Sequence, residues 1–103
     1  MELKIRVPVD RIRDFCRSHG IRKLELFGSV LTDGFNDDSD VDVMVEFLPG
    51  RTPGLAFFTL ADELAEIIGR RVDLLTRQSV EQSENYIFRR EALARVHTLY
   101  EAA

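Results

Sequence analysis

A short apolar run that carries carboxylates limits this chain more than any other feature. Val41-Asp42-Val43-Met44-Val45-Glu46-Phe47 has the composition of a buried β-strand, yet Asp40 opens it and Asp42 sits inside it. Buried strands rarely hold carboxylates without a reason. Side chains alternate along a strand, so Asp40 and Asp42 share one face. Two neighbouring carboxylates repel each other and require a raised pKa, a hydrogen-bond network or a bound cation. A second apolar run, Leu24-Glu25-Leu26-Phe27, ends in Gly28-Ser29, eleven residues upstream of Asp40. A Gly-Ser turn at a strand end suits close approach of backbone N–H groups to a phosphate. Together these features point to a metal-dependent nucleotide site.

The remaining periodicities supply the frame. Val9, Ile12, Phe15 and Cys16 recur at helical spacing between Pro8 and His19, with Gly20 as a stop. Residues 22–28 and 40–47 read as strands, and the Pro- and Gly-rich stretch from Leu48 to Gly54 reads as a loop. Phe57, Leu60, Ala61, Leu64 and Ile68 lie on one helical face, and Gly69 ends that helix. Arg71-Val72-Asp73-Leu74-Leu75 is a short third strand, and Ser79 to Asn85 is polar and ambiguous. Phe88, Ala92, Leu93, Val96, Leu99 and Tyr100 form the stripe of a last helix, with Glu91 and Arg95 as an i,i+4 pair on its exposed side. The order α-β-β-α-β-α predicts an α/β fold with a small mixed sheet flanked by helices.

Length and charge exclude several classes of function. The 103 residues suit one domain, residues 1–103, with 45% hydrophobic content for a modest core. No apolar run reaches the length of a membrane span, and Met1-Glu2-Leu3-Lys4 lacks the layout of a signal peptide. Cys16 is the single cysteine, which leaves no disulfide framework, and a cytoplasmic location is expected. A net charge of −4 argues against broad nucleic-acid binding. Acids gather in 33–46, whereas Arg70, Arg71, Arg77, Arg89, Arg90 and Arg95 bias the C-terminal third toward an acidic partner.

Asp73 interrupts its strand as Asp42 does. If the two strands are neighbours, Asp40, Asp42 and Asp73 converge, and three acidic oxygen donors suit Mg²⁺ or Mn²⁺. Such a cluster matches two-metal phosphoryl chemistry, with ions about 3.5–4 Å apart on the attacking and leaving oxygens. Gly28 and Ser29 would hold the phosphates. Blander readings apply elsewhere. Asp37 and Asp38 read as a solvated turn, Cys16 as core, and Arg89, Arg90 and Arg95 as a solvated helical face. Neither His19 nor His97 has a motif that places it as a base. Asp38, Asp40 and Asp42 have the first spacings of a calcium loop, but Val43 and Pro49 stand where that loop requires Gly and Glu.

The segment Leu26-Phe27-Gly28-Ser29, ten residues, then Asp40-Val41-Asp42 resembles the minimal nucleotidyltransferases of the DNA polymerase beta superfamily, whose signature is Gly-Ser, ten residues, Asp-x-Asp. Arg71-Val72-Asp73-Leu74-Leu75-Thr76 is similar to the strand with that family's third carboxylate, and Ile87 to Ala92 with Leu99-Tyr100-Glu101 to its C-terminal segment. The resemblance implies a small nucleotidyltransferase fold in which Asp40, Asp42 and Asp73 bind Mg²⁺ and Gly28 and Ser29 bind the nucleotide. It also implies transfer from a nucleoside triphosphate such as ATP. Short members of the family are commonly antitoxins paired with a HEPN-domain RNase toxin, and some adenylylate a tyrosine of that toxin. Members often follow Gly-Ser with arginines at the positions that read Val30 and Thr32 here, which implies a weaker grip on the triphosphate. Two functions of different class follow. One is an adenylyltransferase antitoxin, and the other is a non-catalytic antitoxin that neutralises its partner by contact.

Overall fold

A computed structural model describes residues 3–103. Helix α1 (Val9–Ser18) leads into strand β1 (Ile21–Phe27), which ends in a 3₁₀ turn at Gly28–Leu31. Strand β2 (Val41–Phe47), helix α2 (Phe57–Ile68) and strand β3 (Val72–Thr76) follow, then α3 (Arg77–Glu81), α4 (Tyr86–Ala94) and β4 (Val96–Glu101). The expected order α-β-β-α-β-α is present, with a short helix added in the ambiguous polar stretch and a fourth strand at the end.

The sheet order is β3-β2-β1-β4. β1 is antiparallel to β2 and to β4, while β2 and β3 are parallel and joined through α2, so the sheet is mixed. Alternation sorts its side chains into two faces. Leu24, Leu26, Val41, Val43, Val45 and Leu74 meet Ile12, Phe15 and Cys16 of α1 and Leu60, Leu64 and Ile68 of α2 in the larger core. Phe27 and Met44 point the other way and meet Val80 of α3 and Ala92 of α4 in a smaller one. Burial pushes the Cys16 thiol up to about 12, in keeping with its place in the core. Gly69 closes α2 in a left-handed conformation (φ 79°), its N–H donating to the carbonyl of Ala65. Among the described residues no helix is long and apolar enough to cross a membrane.

The C-terminal stretch departs from expectation. The predicted last helix stops at Ala94, and Arg95 is extended (φ −139°, ψ 121°). Val96 to Glu101 instead pair along the open edge of β1, from Phe27↔Val96 to Lys23↔Glu101. Val96, Thr98, Leu99 and Tyr100 satisfy a strand as well as a helix, and an unpaired edge of β1 offers ladder hydrogen bonds that a longer helix would forgo. Leu99 and Tyr100 still reach the larger core, but from the sheet.

Candidate active site

One row of the sheet holds two of the three candidate carboxylates. Phe27 on β1 lies opposite Asp42 on β2, and Asp42 lies opposite Asp73 on β3. The expected convergence of the second and third strands is therefore realised, with both carboxylates on the face covered by α3 and α4. Asp42 is half-buried, while Asp73, on the edge strand, is exposed. Burial, then the neighbouring charges of Asp73 and Asp40, raise the Asp42 carboxyl to about 6.

Gly28 closes this site from the β1 side. Its φ is +78°, and a Cβ added there would collide with a carboxylate oxygen of Asp42 and lie 3.2 Å from Asp42 Cγ. The absence of a side chain is what lets the turn touch Asp42. Ser29 is half-buried in the 3₁₀ turn, and its carbonyl accepts both the backbone N–H and the hydroxyl of Thr32, each at 2.9 Å. A cavity of about 470 Å³ opens beside the turn, lined by Gly28, Thr32 and Asp42 on one side and by Phe88, Glu91 and Arg95 of the α4 region on the other.

Asp40 has a cation beside it: Arg71, just before β3, reaches its carboxylate at 3.0 Å and also donates to the carbonyl of Asp38. Arg70 likewise donates to the carbonyls of Asn36 and Ser39, so the two arginines bind the acidic loop before β2 from the adjacent strand's entry. Glu91 and Arg95 are both exposed, as expected, but are not a helical pair. They form no ion pair with each other, Arg95 lies beyond the helix end, and both line the cavity. Asp37 and Asp38 are exposed in a turn, where the Asn36 side chain accepts from the N–H of Asp38 at 2.9 Å, as expected.

Asp42 and Asp73 are hard oxygen donors in register, and among the described residues neither forms an ion pair, so the charge that raises Asp42 is left for a cation to neutralise. Asp40 is the third donor of the right chemistry, but its carboxylate is on Arg71, and among the described residues no three acidic, histidine or cysteine groups stand close enough together to grip one ion. The chemistry of the donors suits a divalent cation, while Asp40 is held by Arg71.

The buried Glu25 is a further polar feature that the sequence reading passed over. It lies on the same sheet face, in the row next to Asp42, and its carboxylate accepts from Arg77 Nη1 at 2.5 Å, with Lys23 Nζ at 3.7 Å. Burial alone would lower the Arg77 pKa, but Glu25 and then Glu81 more than offset this and hold it above its ordinary value. A charged residue inside Leu24-Glu25-Leu26-Phe27 was the available signal.

Comparison with known proteins bears on the family and the fold. The sequence profile described as the nucleotidyltransferase domain matches residues 9–96. A protein of Methanocaldococcus jannaschii, described as a candidate protein adenylyltransferase, is 37% identical over 62 residues, which is 60% of this chain. That stretch spans 66% of the relative's own length, just under two thirds. A toxin–antitoxin crystal structure with AMP-PNP superposes with a TM-score of 0.67 at 20% identity, covering 93% of this chain and 75% of that one. An AMPylated Shewanella oneidensis HEPN toxin in complex with its MNT antitoxin gives 0.60 at 21% identity, covering 91% and 70%. At such identities the two structural likenesses speak for the fold.

Proposed function

The chain belongs to the nucleotidyltransferase domain family, and on that premise we propose that it transfers AMP from ATP to a hydroxyl group of a partner protein, as the antitoxin of a HEPN toxin. The observation that carries this reading is the in-register pair Asp42 and Asp73 beside the Gly28 turn at the mouth of a cavity. The adenylyl group and the HEPN partner are inferred from what the relatives are described as binding and modifying.

In this reading the backbone N–H groups of Gly28 and Ser29 bind the departing phosphates. Asp42 and Asp73, joined by Asp40, would hold Mg²⁺ or Mn²⁺. When bound, such ions supply charge neutralisation at the phosphates and a lowered pKa for the attacking hydroxyl. The acceptor hydroxyl oxygen forms a bond to the α-phosphorus and releases its proton to solvent, while the bond to pyrophosphate breaks and pyrophosphate leaves with that electron pair. A tyrosine hydroxyl on the toxin is the acceptor by analogy with the family. Asp42 has the larger share because it lies against Gly28 and its charge is felt by both other carboxylates, whereas Asp73 is exposed at the sheet edge.

A second reading has its own support. With Asp40 on Arg71 and no arginine following Ser29, the site is less complete than a turnover enzyme requires, which favours neutralisation by contact alone. Incubating the chain with labelled ATP, Mg²⁺ and its toxin separates the two. The catalytic reading expects label on the toxin, lost in Asp42→Ala and strongly reduced in Asp73→Ala, by at least about 100-fold for the former. Protection from toxicity with no label transferred by wild type would overturn it in favour of contact.

A further inference from the structure

The turn after Gly28 offers a triphosphate no cation of its own. Val30 is fully buried in the larger core, and the exposed Thr32 is uncharged. The cavity beside that turn is instead lined by two carboxylates, Asp42 and Glu91, and by one basic residue, Arg95. Arg95 is the one residue of that lining with a charge that attracts an anion. The other arginines of the C-terminal third are occupied. Arg70 and Arg71 bind the loop before β2, and Arg77 is paired with Glu25. Arg89 donates to the carbonyl of Ser83, and Arg90 lies 5.6 Å over the Tyr86 ring. Arg95 is exposed and, among the described residues, makes neither an ion pair nor a side-chain hydrogen bond.

Its position follows from the feature that sequence reading missed. Were α4 to continue, as its apolar stripe suggests, Arg95 would stand on a helical face with Glu91 one turn behind it. The break at Arg95 into the extended backbone of β4 places it instead at the junction beside Val96, which pairs with Phe27, the residue before Gly28. The β4 edge pairing thus sets a guanidinium across the cavity from the phosphate-binding turn.

We propose that Arg95 is the phosphate-gripping cation of this site, taking from the opposite wall of the cavity the place that arginines after the Gly-Ser turn would hold. The inference rests on the nucleotidyl-transfer reading and names the residue that gives it affinity for a triphosphate. A guanidinium donates several N–H groups in a planar fork suited to phosphate oxygens, which a lysine matches only as a point charge.

Calorimetric titration of the whole chain with ATP and Mg²⁺, and separately with adenosine, tests the assignment. Arg95→Ala should weaken ATP binding by about tenfold or more, with Arg95→Lys in between. Arg90→Ala, which removes the same charge from outside the cavity, should change it by less than about twofold at physiological salt. Adenosine, which has no phosphate, should bind Arg95→Ala as it binds wild type. Equal ATP affinity in wild type and Arg95→Ala, or equal losses in Arg95→Ala and Arg90→Ala, would overturn the assignment. If wild type binds no ATP at all, the nucleotidyl-transfer reading falls first and this one with it.

Discussion

Val30 and Thr32 stand two residues apart in one 3₁₀ turn and its cap, yet the first is fully buried and the second lines the cavity. The resemblance treats them alike, as two places where arginines are missing. Packing separates them. An arginine at position 30 would put a charge into the cluster formed with α1 and the sheet, with no acidic partner there. Val30→Arg should therefore cost roughly 3 kcal/mol or more, seen as a lower urea midpoint. Thr32→Arg should leave stability within about 0.5 kcal/mol and tighten ATP binding. A stable Val30→Arg protein with raised ATP affinity would contradict the placement of that side chain. Gly28 was legible as a special residue from its position at a strand end, but the reason, contact with Asp42, belongs to the folded chain.

Among elements, α3 is tied to β1 by the Arg77–Glu25 pair under the candidate site. Removing one partner of a buried pair strands the other, which is worse than having neither. Arg77→Met should destabilise by about 2–4 kcal/mol, and adding Glu25→Leu should recover much of that, because the double variant leaves no buried charge. Chemical denaturation of the four proteins of this cycle checks the claim, and additive losses would refute it. Helices α1 and α2 and strands β1 to β3 were readable because each has a period that only one structure satisfies. Residues 96–101 do not: their apolar positions suit either period, and the edge of β1 decides between them.

For the molecule as a whole, the row of carboxylates is a cost of folding in the absence of a cation. The folded protein raises the Asp42 pKa from 3.8 to about 6, so it binds a proton more tightly than the unfolded chain does. Below pH 4 both states are protonated and nothing is lost. Stability then falls as pH rises from about 4 to about 6, and stays lower above. Without added metal, Asp42→Asn should exceed wild type in stability at pH 7.5 by roughly 1 kcal/mol, allowing for solvent screening of a half-exposed group, and lose that advantage by pH 4. Mg²⁺ or Mn²⁺ should raise the wild-type melting temperature and leave Asp42→Asn unmoved. A pH-independent difference between the two proteins would exclude the crowding. By itself, the sequence determined the α/β class, the buried character of β2, and the pairing of a Gly-Ser turn with acidic strands, because burial and strand alternation are local consequences of residue order. Tertiary structure alone decided which groups meet. Strand order set Asp73 beside Asp42, the entry of β3 set Arg71 on Asp40, and an open sheet edge turned the last segment into β4 and brought Arg95 to the cavity. These outcomes depend on which distant segment supplies the missing hydrogen bonds and charges, and no local period encodes that choice.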